Sequence, residues 1–259
     1  MIKYLLITFF IAASFNNALG QQITAINEPV FKVGEQLNYS LKYGFFTAAE
    51  TVIKVEESDK KFGDNPAFHI VADSKTAGTF DVFYKVRNRY ETYVDQATLE
   101  PYFYTENRHE SNYRHTDNVT FNHADNKITA NKGVFPFKGQ VFDFLSAYYF
   151  SRGIDVSKMQ IGEKFELQYF LEDGVHTLTI SYVGREKVNS PLGSFNCLKF
   201  NPTIIPGRIF KKNSKLYLWI TDDKNRIPVK AHVDLIVGSV TMDLTGAQNL
   251  KYPLNPLKK

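Results

Sequence analysis

Alternation of apolar and polar residues with a period of two is the feature that most constrains the fold of this chain. In the segment EQLNYSLKY, the apolar residues Leu37, Tyr39 and Leu41 share one face and the polar residues between them share the other, as in a half-buried β-strand. In TFDVFYKVRNRYETYV, Phe80 and Val82 begin a similar alternation. Further segments of this kind, separated at short intervals by Gly, Pro, Asn and Asp, are KFELQYFLE, VHTLTISYVGREKV, GSFNCLKF and GSVTMDL. About twelve strands are predicted, which favours a mainly β fold built on a strongly curved or closed antiparallel sheet.

The segment QVFDFLSAYYFSRG breaks the alternation. Phe142, Leu145 and Tyr149 recur at helical spacing, Asp143 lies near the start, and Gly153 follows as a C-terminal cap. These features predict one short central helix. Because its aromatic residues are too many for a single buried stripe, we expect it to plug or cover the concave face of the sheet.

The N-terminal segment MIKYLLITFFIAASFNNALGQQ has the pattern of a secretory signal peptide. Its apolar run is shorter than the ~20 residues of a membrane-spanning helix, and we expect cleavage after Gly20. The remaining residues, 21–259, are predicted to form a single β-rich domain. No cysteine near Gly20 offers a site for a lipid, and no later stretch is long and apolar enough to span a membrane. The sequence therefore predicts a soluble periplasmic or extracellular protein.

Composition excludes several classes of function. The formal net charge is +4, with lysines and acidic residues interspersed rather than grouped, so a nucleic-acid partner is not predicted. Cys197 is the single cysteine, which rules out an internal disulfide and suggests a small buried side chain. No cofactor-binding motif is recognised, and none is predicted.

The segment KLYLWITDDKNRIPVKAHVDLIV is predicted to form a long β-hairpin. Apolar residues alternate before and after the polar run TDDKNR, which places Asp222 and Asp223 at the tip. Aspartate side chains stabilise tight turns by bonding to the backbone. A calcium loop would need more oxygen ligands and a glycine bend. A turn is therefore predicted here rather than a catalytic or calcium-binding loop.

Three segments carry a resemblance to a known family: FKVGEQLNYSLKYGFFTAAE, VFDFLSAYYFSRG and LYLWITDDKNRIPVKAHVDLIVGSVTMDL. They resemble the bacterial exported family known as domain of unknown function 3108, over about residues 30–245. The resemblance implies a location in the cell envelope and a β-rich domain. It brings no assigned activity.

Candidate catalytic and metal-binding groups do not form recognisable sites in the sequence. If residues 106–115 formed one strand, His109 and His115 would lie on one face about 20 Å apart, too far to share a metal ion. His123 could join one of them, but two imidazoles without a placed carboxylate make a poor zinc site. Nucleophile, paired-histidine and phosphate-loop motifs are not found. No catalytic or metal-binding residue is predicted, and a hydrolase ranks third among the functions considered.

Aromatic residues supply the remaining functional candidates. Tyr217 and Trp219 share one face of the hairpin, where we place Pro228, Lys230 and other polar partners. Such a face suits either an amphipathic surface or the wall of an apolar cavity with a polar mouth. The helix would supply the other wall, although core packing explains its aromatic residues equally well. The candidate ligand-binding residues are Phe142, Leu145, Tyr148, Tyr149, Tyr217 and Trp219.

The function predicted from the sequence is non-catalytic binding of an apolar or amphiphilic molecule, such as a lipid or an envelope intermediate, by an exported protein. The alternative is a structural or assembly partner of another envelope protein.

Cleavage after Gly20 has a measurable consequence. The mature chain should begin at Gln21, and an N-terminal glutamine cyclises to pyroglutamate. Mass spectrometry of the intact exported protein should give the mass of residues 21–259 less one ammonia. An intact mass that retains the first twenty residues would contradict this prediction.

Overall fold

The structure is a computed structural model that describes residues 21–22, 28–203 and 215–257. The predicted signal peptide, residues 1–20, lies outside the described residues, so its cleavage stays a prediction. The strands are β1 (Gln21–Gln22), β2 (Gln36–Tyr43), β3 (Phe46–Glu57), β4 (Ala67–Thr76), β5 (Val86–Asp95), β6 (Pro101–Glu110), β7 (Tyr113–Asn122), β8 (Lys127–Ala130), β9 (Gly133–Pro136), β10 (Lys164–Leu171), β11 (Gly174–Ser190), β12 (Gly193–Pro202), β13 (Leu216–Thr221), β14 (Pro228–Asp234) and β15 (Ser239–Gln248). The helices are α1 (Gly78–Phe83) and α2 (Phe144–Arg152).

Within the described residues, fifteen strands form one sheet in the order β1-β10-β11-β12-β13-β14-β15-β2-β3-β4-β5-β6-β7-β8-β9. From β2 to β15 neighbouring strands are antiparallel, and the short β1 pairs with β10 in parallel. The first and last strands of the chain's main ladder, β2 and β15, pair along most of their length, from Val240 with Tyr43 to Gln248 with Gln36. The sheet is curved but not closed, because β9 and β10 are not paired with each other. The prediction of a mainly β, strongly curved antiparallel sheet is confirmed.

The turns of this sheet define two ends. At one, which we call the α1 end, lie helix α1 and the β2–β3, β6–β7, β10–β11 and β14–β15 turns. At the other, which we call the Glu35 end, lie residues 28–35, the β13–β14 turn and the C-terminal segment 249–257. At the Glu35 end, core side chains and α2 cover the concave face. Near the α1 end, the same face is partly exposed to water.

Helix α2 lies against the concave face of the sheet, as predicted. Asp143 caps its first turn by accepting hydrogen bonds from the backbone N–H groups of Leu145 and Ser146 at 2.8 and 3.0 Å. Gly153 is at the C-terminal cap. The rings of Phe142 and Phe150 lie 4.6 Å apart in a core cluster shared with β10 to β13 and β3 to β5. Beside the helix this core leaves a void of about 30 Å³, which is room for about one water molecule.

A fully buried ion pair holds the C-terminal end of α2. The guanidinium of Arg152 donates to both carboxylate oxygens of Glu35 at 2.5 and 3.0 Å, and also to the carbonyl oxygen of Asn225 in the β13–β14 turn. The aromatic ring of Tyr149 lies 5.0 Å from the guanidinium. Burial alone would lower the pKa of Arg152, but the Glu35 carboxylate outweighs it and the pKa is raised. Arg152 therefore stays protonated, and its contacts join three separate segments at the Glu35 end.

The C-terminal segment covers the outer side of the sheet at this end. Asn225 donates to the carbonyl oxygen of Tyr252 at 3.0 Å, and the N–H of Leu257 donates to Ser194 at 2.7 Å. Leu250 and Leu254 pack against a second core cluster that includes buried Cys197. Burial raises the pKa of the Cys197 thiol to about 12, so at neutral pH the thiol is a protonated packing group.

Two details differ from the prediction. The strand count is fifteen rather than about twelve in the described part of the chain, because several strands are short. The segment at Phe80 and Val82, predicted to begin a strand, is helix α1 instead. Gly78 adopts a positive φ of 54° that ends β4. None of the α1 residues is buried, so the alternation there had no buried face to form.

The buried pair gives a stability prediction. Arg152→Met should lower the free energy of unfolding by roughly 3–5 kcal/mol, because Glu35 is left buried without its partner. The double variant Arg152→Met with Glu35→Leu should recover part of this loss, since removing both charges removes the desolvation penalty. The double-mutant cycle consists of the wild type, Arg152→Met, Glu35→Leu and the double variant. Urea unfolding of these four proteins measures the coupling free energy between the two side chains. Additive losses would contradict a coupled pair.

Candidate functional site

The predicted helical residues fill the core. Phe142, Leu145 and Tyr149 are almost completely buried, and Tyr149 packs edge-on against Phe31 at 4.6 Å. Tyr148 is partly buried, with its hydroxyl 3.3 Å from that of Tyr39. These side chains support the concave face, where they do not surround a space of ligand size.

Tyr217 and Trp219 lie on the opposite side of the sheet from α2. In the β12–β13 ladder Leu218 and Ile220 belong to the core cluster that contains the helix, so the alternate residues Tyr217 and Trp219 face outward. The ammonium of Lys199 lies 4.5 and 4.8 Å from their two rings. Tyr217 and Trp219 therefore face away from the helix rather than towards it, and a ligand-binding role for them stays a prediction.

Two observations explain why the face that carries Tyr217 and Trp219 turns outward. The indole N–H of Trp219, which is itself buried, donates to the exposed carboxylate of Glu186 on β11, two strands away, so the polar groups of this face are satisfied on the outer side of the sheet. The aliphatic face is the one that turns inward. A β-bulge also places Pro228 opposite Ile220 rather than with Trp219.

At the hairpin tip the predicted turn is present. Asp223 accepts hydrogen bonds from the backbone N–H groups of Asn225 and Arg226 at 2.9 and 3.1 Å. Asp222 pairs with Arg185 at 2.8 Å on the surface. Both aspartates thus have structural partners.

The concave face changes from buried to half-buried along several strands. At the Glu35 end its side chains are covered by α2 and the core, whereas residues nearer the α1 end, on the same face, remain partly exposed. The buried and half-buried residues are Leu37 and Leu41 in β2, Ile180 and Leu178 in β11, Ile220 and Leu216 in β13, Val229 and Val233 in β14, and Leu244 and Met242 in β15. Helix α2 is too short to cover the whole face.

We call the uncovered aliphatic region the open half-face. It consists of Leu41, Leu178, Leu216, Leu218, Val233, Val240 and Met242, all half-buried. Register confirms that they share one side: Leu218 lies opposite Ala231, Ala231 opposite Met242, and Met242 opposite Leu41. The open half-face is thus continuous across β13, β14, β15 and β2, and Leu178 of β11 lies on the same concave side, against the cluster that contains the helix.

A cleft of about 490 Å³ lies beside the N-terminal end of α2. Phe144 meets the rings of Tyr90 and Tyr104 edge-on at 5.2 and 5.7 Å, and these three rings form its inner wall. Charged side chains from the β6–β7 hairpin, the β8–β9 turn and the β10–β11 turn also line it, namely Glu106, Arg108, His115, Asp117, Lys132 and Glu172. We call this space the Phe144 cleft.

Glu106 is central among the charged groups of the Phe144 cleft. It accepts a hydrogen bond from the Tyr104 hydroxyl at 3.1 Å and lies 3.4 Å from Nε2 of His115. Arg108 is 4.0 Å from Glu106 but makes its shorter contact, 3.0 Å, with Glu110. Burial raises the pKa of Tyr104, and the charge of Glu106 adds to this. The cleft therefore offers rings together with hydrogen-bonding charged groups, a combination that suits the polar part of a ligand.

Asp143 joins this cleft to the fold. Besides capping α2, it accepts a hydrogen bond from the Thr92 hydroxyl at 2.6 Å and one from the Ser146 hydroxyl at 2.9 Å. Its burial raises the pKa of the carboxyl, although these hydrogen bonds oppose the shift. Asp143 fixes the position of Phe144, the next residue.

The Phe144 cleft does not follow from the sequence pattern, because it depends on a hairpin within residues 106–115, a segment that the histidine argument assumes to be one strand. A hairpin turn at Ser111, which has a positive φ of 52°, instead places His115 directly opposite Arg108. His109 then lies on the other face. The Ser-Asn pair at 111–112 is a turn signal that could have located this hairpin.

Other sites are less suited to a ligand. A depression of similar volume, about 490 Å³, lies on the outer side of β2 to β5, but its charges pair with each other, as in Glu50–Lys75 and Asp73–Arg89. Among residues 21–22, 28–203 and 215–257, no three His, Cys, Asp or Glu side chains are grouped to hold a metal ion. In the same part of the chain no helix has the length and apolarity to cross a membrane.

The fold and the open concave face define a class of curved, barrel-like antiparallel β-protein. The family model described as protein of unknown function (DUF3108) matches residues 38–245. The chain belongs to this family, which confirms the resemblance seen in the sequence. A search of curated proteins finds no match.

Two solved structures are similar to this chain to different degrees. A β-barrel-like protein of domain of unknown function DUF1849 from Brucella abortus has a TM-score of 0.57 and 10% identity, over 84% of this chain and 98% of that one. An inferred exported protein with a YmcC-like fold from Bacteroides fragilis has a TM-score of 0.35 and 14% identity, over 86% of this chain and 99% of that one. The Brucella protein supports the barrel-like fold of this chain.

The raised pKa of Asp143 predicts a pH dependence. Between the ordinary pKa of about 3.9 and the raised value, the folded protein holds more protons at this carboxyl than the unfolded chain does. The contribution of Asp143 to stability is then complete below the ordinary pKa and is lost as the pH rises through the folded value. Asparagine does not titrate, so Asp143→Asn should cost most at acid pH and less as the pH rises.

Urea unfolding of both proteins over a pH series measures this difference. Asp125→Asn, at an exposed turn, controls for the removal of one negative charge. A cost of Asp143→Asn that is constant or grows with pH would contradict the prediction.

Proposed function

We propose that this protein binds an apolar or amphiphilic molecule on its open half-face and has no catalytic role. The observation that carries the proposal is the change from buried to half-buried side chains along single strands, for example from Leu244 to Met242 in β15. When a ligand covers aliphatic side chains that are partly exposed to water, the burial favours binding by about 25 cal/mol per Å² of apolar surface. A ligand with an apolar chain would provide such a cover.

The Phe144 cleft supports an amphiphilic ligand over a purely apolar one. It lies on the concave side as well, and its charged groups, such as Glu106 and Arg108, retain hydrogen-bonding capacity beside three aromatic rings. We infer that the polar part of the ligand contacts this cleft. The ligand class proposed is therefore a lipid or a lipid-linked intermediate.

The proposed location is the periplasm or the extracellular space, which rests on the signal peptide predicted at residues 1–20. Native mass spectrometry of protein isolated from that compartment tests the ligand class directly. A co-purified lipid is the expected result. A protein bound in stoichiometric amount would instead favour the alternative, an assembly partner of the cell envelope.

A pair of adjacent substitutions tests the ligand surface. Met242→Glu places a charge on the open half-face, and should reduce the affinity for an apolar fluorescent probe roughly tenfold or more, since a buried charge opposes apolar contact. Thr241→Glu is the matched control, because Thr241 is the next residue on the same strand, is also half-buried, and faces outward. It should leave probe binding unchanged.

Probe titration followed by fluorescence gives both affinities, and thermal unfolding shows that both variants are folded. Equal probe binding by the Met242 variant and the wild type would refute a ligand site on this face.

A further inference from the structure

Six apolar side chains protrude at the α1 end of the sheet. They come as three pairs of consecutive residues, Phe45–Phe46 in the β2–β3 turn, Val82–Phe83 in α1, and Ile236–Val237 in the β14–β15 turn. Phe45 is 100% exposed, and Val82 and Phe83 are each 82% exposed. Soluble proteins expose single apolar residues commonly, but grouped ones mark an interaction surface. We call this group the apolar rim.

The three pairs are neighbours. Tyr43 donates its hydroxyl proton to the carbonyl oxygen of Val237 at 3.1 Å, and its ring lies 6.4 Å from that of Phe80 in α1. Tyr43 also pairs directly with Phe46 across the β2–β3 turn. One residue therefore connects all three pairs into a single surface.

The apolar rim lies at the end where the open half-face is uncovered. Strands β2, β14 and β15 carry residues of the open half-face and lead into the turns that carry two of the three pairs: Leu41 is two positions before Tyr43, and Val240 follows the turn that carries Val237. A molecule that reaches the open half-face from the α1 end passes beside these side chains. This continuity relates the rim to the ligand surface of the proposed function, on which the following inference rests.

We propose that the apolar rim inserts into the surface of a lipid membrane, with the open half-face directed towards the lipid. The three pairs of exposed apolar side chains, which include the completely exposed Phe45, would need three matching pockets in a protein partner. The acyl region of a bilayer accommodates tips of any shape, and apolar residues at its boundary stabilise binding in proportion to the area they bury.

Charge favours the same occupant. The formal net charge is +4, or +3 once Lys3 leaves with the predicted signal peptide, and this positive charge attracts the chain to anionic lipids. Lys85 is exposed just after α1. Lys42, which precedes Tyr43, is half-buried and paired with Asp243 at 3.1 Å. Lysines beside apolar tips place their ammonium groups among lipid headgroups while the tips enter the apolar layer.

Vesicle flotation tests the inference. The full chain is mixed with vesicles of phosphatidylethanolamine and phosphatidylglycerol, and the floated fraction is measured for wild type and for Phe45→Ser with Phe83→Ser. The wild type should float, and the double variant should bind vesicles roughly tenfold or more weakly, because it loses two large apolar tips. Both positions are exposed, so the fold should be unaffected.

The matched control is Val33→Ser with Ile161→Ser, which removes two exposed apolar side chains away from the rim. It should float like the wild type. A wild type that stays in solution, a Phe45 and Phe83 variant that floats as well as the wild type, or an equal loss in the control would each overturn the inference.

Probe binding in solution separates this inference from the proposed function. The Phe45 and Phe83 variant should bind the apolar fluorescent probe as the wild type does, because neither residue belongs to the open half-face. Loss of its probe binding in the folded variant would overturn the division between rim and ligand surface. Flotation of a protein that binds no probe would support the rim and refute the ligand site.

Discussion

The buried contact between Glu35 and Arg152 is the constraint on which the arrangement of this protein depends. Two charges without access to water are stable only if each finds its partner with good geometry, and here the partners come from the segment before the first long strand and from the end of α2. The same guanidinium holds the β13–β14 turn through Asn225. With its C-terminal end fixed in this way and its N-terminal end fixed by Asp143, α2 has one position on the sheet.

That position decides which part of the concave face is covered. A helix of nine residues is about 13.5 Å long, whereas a ten-residue strand such as β5 spans about 33 Å, so the Glu35 end is filled and the α1 end is not. The open half-face, the Phe144 cleft and the apolar rim all lie on the uncovered side of this division. Because α2 covers only one end of the concave face, the same fold has a stable core at the Glu35 end and an apolar interaction surface at the α1 end. A longer helix would cover both ends.

The sequence predicts the elements better than their orientation. Alternation located most strands, Asp143 and Gly153 marked the limits of α2, and the aspartates at 222–223 marked a turn. Alternation defines two faces of a strand but does not say which one turns inward, so the sequence left open whether Tyr217 and Trp219 lie on an outer surface or line a cavity. The partner of Arg152 lies 117 residues away, so no local pattern could identify it. The Phe144 cleft likewise depends on a hairpin, α2 and a distant turn meeting in space.

The ladder between β2 and β15 has a consequence for the time course of folding. Because the last strand lies between β14 and β2, it joins the two halves of the sheet, and residues up to Gln248 must be present before Gln36 has its partner. Contacts between such distant parts of a chain form slowly. We therefore expect the two halves of the sheet to be joined only after the whole of β15 has emerged, so that closure of this ladder is a late step of folding.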